Sequence, residues 1–126
     1  MDWFNKNSSR SSQRLTPRIV RFTGEQDGPA ERDLKGSFVE LFRVEPKVEG
    51  AYLARVEHGD GSGIHVTLCL KCFPAEEVPS LLPKVADIFG KMFGSHEHLD
   101  IRFLRKDEEH ELRSVCTPFY SCKPPS

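Results

Sequence analysis

Long apolar runs are missing from this sequence of 126 residues. Every hydrophobic stretch is broken by charge or proline before the ~20 residues that a membrane-spanning helix needs, which excludes such a helix. The opening MDWFNKNSSRSSQR has no apolar segment of the kind a secretory signal carries. An excess of charge is missing too: 18 Lys and Arg against 19 Asp and Glu give a formal net charge of −1, so the chain as a whole is not built for a polyanion. Cysteine is sparse, with four residues. Without a secretory signal, in a chain long enough to form its own core, these are expected as reduced thiols in the cytosol and not as a disulfide framework. Reaction motifs are absent as well. There is no G-x-S-x-G, no cysteine beside a recognisable base, and no second cysteine pair at finger-like spacing. The GDGSG segment lacks both the carboxylates of an EF-hand and the lysine of a P-loop.

What is present suffices for one core: 37% hydrophobic residues with nine Phe, in a length that fits a single domain. Residues 1–16 are rich in Ser, Arg and Asn without periodicity, and are expected as a disordered or loosely attached basic tail. Residues 17–120 read as the domain and 121–126 as a C-terminal tail. Through Arg21, the cations Lys6, Arg10, Arg14, Arg18 and Arg21 face only Asp2. Such an arm can touch nucleic acid. Its cations are diluted by serine and lack interleaved aromatics, so the simpler reading is a solvated tail, and nucleic acid is not the expected partner.

The periodicities give an element order. Ile19, Val20 and Phe22 ahead of Gly24 predict a short strand. Leu34, Phe38, Leu41 and Phe42 fall at i, i+4, i+7 and i+8, the stripe of an amphipathic helix that Pro46 ends. VEGAYLARVEHGDGSGIHVTLCLKCF reads as a hairpin with GDGSG at its tip. Val78, Leu81, Leu82, Val85, Ile88, Phe89 and Met92 predict a second helix from about Ser80 to Phe93, capped by Gly94. Leu99, Ile101 and Phe103 alternate as a last strand. Strand, helix, strand, strand, helix, strand is the β-α-β-β-α-β order of a ferredoxin-like (split β-α-β) α+β fold, with an antiparallel sheet, two helices on one face and the other face open.

In the hairpin, pairing Val56 with Val66 sets Ala54 against Leu68 and Tyr52 against Leu70 on the core face. It leaves Glu57 beside His65, Arg55 beside Thr67 and Leu53 beside Cys69 on the open face, with Lys71 further along. Cys69 and Cys72 form a C-x-x-C, but residues three apart in a strand point to opposite faces and lie roughly 10 Å apart. A disulfide needs Cα atoms within about 7 Å, so the pair is read as strand thiols and not as a redox or zinc site. His96 and His98 flank Glu97 close to Asp100 and are possible metal ligands, though His-x-His before a strand is more simply a polar connector. Cys116 and Cys122 are placed to bridge on oxidation or to join a histidine on zinc, though no second pair at finger-like spacing supports the latter, and the acidic run Asp107 to Glu111 reads as solvated surface.

Ala51, Tyr52 and Leu53 in the hairpin, together with Pro118, Phe119 and Tyr120 in the closing TPFY, resemble the C-terminal domain of the SseB (enhanced serine sensitivity) family of bacterial proteins. The resemblance spans about residues 18–120. Family members carry a preceding N-terminal domain where this chain has a short tail. The resemblance implies no defined catalytic residues and an ill-defined link to serine sensitivity. Phe119 and Tyr120 are expected to fold back on the core as an aromatic clasp, the alternative being an exposed pair at a partner site.

The expectation is therefore a cytoplasmic, non-catalytic protein-interaction or regulatory module without cofactor or metal. It would bind a protein partner or a second copy as a homodimer. Its candidate surface is Leu53, Arg55, His65, Thr67, Cys69, Lys71, Phe119 and Tyr120. Two alternatives stand beside it: a thiol-dependent enzyme using Cys69 with His65, and a nucleic-acid accessory protein acting through the basic arm.

Overall fold

The computed structural model describes residues 13–15, 20–58, 63–94 and 97–122. Its elements in chain order are β1 (Gln13–Leu15), β2 (Val20–Glu25), α1 (Pro29–Arg43), β3 (Val48–His58), β4 (Ile64–Cys72), α2 (Leu81–Phe93), β5 (Leu99–Phe103), α3 (Lys106–Arg113) and β6 (Tyr120–Ser121). The α+β class and the six expected elements are all present. Three elements were not foreseen: β1 in the expected basic tail, α3 in the acidic run, and β6 at the boundary of the C-terminal tail. The remainder of the basic arm up to Ile19 lies outside the described residues.

The helices form where their stripes place them. Pro29 opens α1 at its first turn, where a missing N–H costs nothing. Leu34, Phe38 and Phe42 are fully buried, while Gly36 faces solvent and carries only its propensity cost. Before the helix, Gly28 has φ +154°, and a Cβ there would stand 2.5 Å from Glu31 Oε1, so this turn requires glycine. Leu81, Val85 and Phe89 of α2 are fully buried. Gly94, at φ +77°, closes that helix with its N–H on the Gly90 carbonyl at 2.9 Å, as the spacing predicts. Met92, expected in the stripe, instead points outward.

Both helices cover one sheet face, packing on Ala51, Leu53, Val66, Leu68, Leu70, Leu99 and Ile101. The expected clasp closes this layer. Phe119 packs on Phe38 and Phe42 with ring centroids 6.5 and 6.4 Å apart, and Tyr120 lies 5.6 Å from Phe42. The Tyr120 hydroxyl donates to the Phe42 carbonyl at 3.1 Å, and the Phe119 N–H to Ala51 at 2.9 Å.

Two expectations about the sheet need correction. The strands run β1-β5-β4-β3-β2, with β6 also on β3. In a split β-α-β unit the two strands joined by a helix are parallel and separated by a third. Here β2 and β3 are adjacent and antiparallel, and β4 and β5 are adjacent and parallel. The sheet is thus mixed, with α2 supplying the crossover that a parallel pair requires, and its strand order is not ferredoxin-like. The element order is the same for both arrangements, so periodicity could not choose between them.

The second correction concerns register and the open face. Val56 pairs with His65, Ala54 with Thr67, Leu53 with Leu68 and Tyr52 with Cys69, one residue away from the expected pairing. The loop sets this: the His58 N–H bonds the Gly63 carbonyl at 3.2 Å, which fixes the closing pair. Alternation could not settle it, because β3 is apolar at Ala51 and Leu53 on one face and at Tyr52, Ala54 and Val56 on the other. The second face is not open. Leu104, Leu112 of α3 and Cys116 bury Phe22, Tyr52, Ala54, Val56 and Cys69 beneath them.

Candidate functional site

Among the described residues, the covered second face carries a cluster of buried titratable side chains. Alternation along β4 puts His65, Thr67 and Cys69 on this face. On β3 it puts Tyr52, Ala54, Val56 and His58 there, and on β5 Asp100 and Arg102. At one end of the sheet His58, His65 and Asp100 converge, with His98 entering just before β5. The side chains of His58 and Asp100 are wholly inaccessible, and those of His65 and His98 are 6% and 8% exposed.

Asp100 is the hub. Its Oδ2 lies 3.1 Å from His58 Nε2 and 3.9 Å from His65 Nδ1, and its Oδ1 meets His98 Nε2. The His58 and His65 rings stack, with centroids 4.1 Å apart and planes 15° from parallel. A buried carboxylate is tolerable only when donors surround it, and two imidazoles reach its separate oxygens here. The Thr67 hydroxyl, on the residue paired with Asp100, donates to the His65 carbonyl at 3.3 Å.

The other end of this face holds α3 down. Tyr52 donates its hydroxyl to Glu109 Oε2 at 2.7 Å and accepts from Arg113 Nε at 3.0 Å. Burial, and then the Glu109 carboxylate, push the Tyr52 phenol up to about 12 against the opposing Arg113 guanidinium. Arg102 pairs with Glu108, which also accepts the Arg105 backbone N–H at 3.1 Å. A small cleft of about 140 Å³ beside Tyr52 is bordered by Lys71, Glu109, Arg113 and Tyr120.

The expected surface is largely interior. His65, Thr67 and Cys69 are buried under the second layer, and Leu53 is buried under the helices. Only Arg55 is exposed, while Lys71, Phe119 and Tyr120 are half-buried. Cys69 and Cys72 do point to opposite faces, as expected. Burial raises the Cys69 thiol far above its usual range, and raises Cys72 to about 11 and Cys116 to about 12. Cys116 is buried and Cys122 exposed, both as free thiols. Of the proposed His-x-His pair, His96 lies outside the described residues and His98 joins Asp100. Periodicity alone does not single out His58. The available signal was a histidine on each side of the GDGSG tip, in HGDGSGIH, together with two charges inside the strand LDIRF. No family model, curated protein or solved structure matches this chain.

Proposed function

We propose that the chain is a non-catalytic protein-interaction or regulatory module, of the kind that its SseB-like motifs imply, acting through its outer surface. One observation carries the reading: the residues best suited to chemistry, His58, His65, His98 and Asp100, are all buried. The thiol alternative would need Cys69 as a thiolate within reach, and the full burial and strongly raised pKa of that thiol favour the non-catalytic reading.

With the sheet covered on both faces, the surface proposed for a partner is at the end where α1 leads into β3, which carries two of the exposed large hydrophobic side chains among the described residues. Val44 is 78% exposed and Phe73 63% exposed there. The Phe73 N–H binds the Lys47 carbonyl, which brings the two apolar side chains to the same end of the molecule. The free edge suits strand pairing less well, because β2 has an irregularity between Phe22 and Gly24 of the kind that discourages a continued sheet. The partner proposed is a second copy, joined through Val44 and Phe73. Light scattering behind size exclusion tests this. A dimer is expected that Phe73→Asp converts to a monomer with an unchanged circular-dichroism spectrum, its unfolding temperature no longer dependent on protein concentration. A monomer at every concentration, identical in the variant, overturns the reading.

A further inference from the structure

We infer that His58, His65 and Asp100 form a zinc site in the core, with His98 as its positioning residue. Two imidazole nitrogens and one carboxylate oxygen, all within 4.8 Å of one another, make up the cluster. This donor set matches zinc, which takes imidazole and carboxylate together. Calcium and magnesium favour ligands made only of oxygen.

The distances suit the ion. Ligand atoms about 2.0–2.1 Å from a tetrahedral zinc stand roughly 3.3 Å from each other. His58 Nε2 and Asp100 Oδ2 are 3.1 Å apart, already close to that value. His65 Nδ1 is 3.9 Å from the same oxygen, and because its ring stacks on that of His58 it must turn out of the stack to aim its in-plane lone pair at a shared ion. His98 contacts the other carboxylate oxygen, Oδ1, and so leaves Oδ2 turned toward the two imidazoles. Such an outer partner fixes the orientation of a ligand.

Placement says what the ion does. His58 ends β3, His65 lies at the start of β4 and Asp100 is in β5. A single ion therefore ties three strands together beside the hairpin loop. Three protein ligands with an open fourth position is also the pattern of catalytic zinc. All three ligands are buried and come from separate strands, so the role proposed for the ion is structural. The inference is independent of the proposed surface function, since either holds without the other.

The test uses the full chain freed of any affinity tag, stripped of metal and titrated with Co²⁺ and then Zn²⁺. Expected is one equivalent of Co²⁺ per chain, with visible bands of a tetrahedral nitrogen and oxygen site and no thiolate charge-transfer band, displaced by Zn²⁺. Affinity should fall by at least about 100-fold in Asp100→Asn and His65→Gln, and by about 10–100-fold in His98→Gln, the usual range for an outer partner. His110→Ala, at an exposed position on α3, should leave it unchanged. Failure of the wild-type chain to take up either ion overturns the inference. So does a thiolate band, which would put the metal on cysteine, or unchanged affinity in Asp100→Asn. If the variants fail to fold, the wild-type spectrum and stoichiometry decide.

Discussion

Tyr52 is almost fully buried, yet its hydroxyl is not wasted, because it joins a β3 side chain to two residues of α3, Glu109 and Arg113. Hydrogen bonds to charged partners contribute more than neutral ones, about 1.5–3 kcal/mol each, and the charged groups left behind lose solvation when the partner goes. Tyr52→Phe keeps the ring and removes only the hydroxyl. Its expected cost is about 1–3 kcal/mol in a urea titration. A change inside the ~0.5 kcal/mol typical of surface positions would mean that α3 is not held through this residue. The same scale explains why the C-x-x-C resolved so readily. Its two thiols sit in one strand at odd spacing, so each enters a different core and burial raises both.

At the scale of elements, α3 decides what the second sheet face becomes. The helix is short and strongly acidic in its first turn, with Asp107, Glu108 and Glu109 where the helix dipole favours negative charge. Leu112 is its one buried residue, packed with Leu104 and Cys116. Leu112→Ala should therefore cost about 2–5 kcal/mol, the range for a buried leucine. Hydrogen exchange in the variant should accelerate first in residues 106–116. Val115→Ala, at a position 40% exposed, serves as the control and should change little. If both variants lose the same small amount, α3 is a surface ornament and the second face is weakly covered. This element also marks the limit of what could be read beforehand. Helices α1 and α2 were legible because their apolar residues recur at helical spacing over many turns. One buried leucine in an eight-residue acidic segment has no such period, and without it the second face reads as open. The His58, His65 and Asp100 cluster was illegible for a related reason. Its members come from three strands, and their meeting depends on a register that a strand apolar on both faces does not specify.

For the whole molecule, covering both sheet faces places three of the four thiols in interior layers, and this has a consequence for alkaline stability. In the unfolded chain a thiol loses its proton near its ordinary value of 9.0, whereas in the folded chain Cys72 holds its proton to about 11, Cys116 to about 12 and Cys69 higher still. Above pH 9 the native state therefore binds more protons than the unfolded state. Stability must fall as pH rises, by at most about 1.4 kcal/mol per pH unit for each such group. Tyr52 joins the decline above its ordinary 10.0 and continues it toward about 12. At about pH 8 and below these groups are almost wholly protonated in both states, and their contribution is nearly constant. Urea midpoints measured under reducing conditions at pH 7, 8, 9, 10 and 10.5 should be nearly level between the first two and then drop with increasing steepness. Cys116→Ala should make the drop shallower, because one of the differentially protonated groups is gone, even if its midpoint at pH 8 is lower. A midpoint that stays level to pH 10.5 would mean that the thiols titrate as they do in water, and hence that the layer formed by α3 and residues 104–116 does not exclude solvent from the sheet.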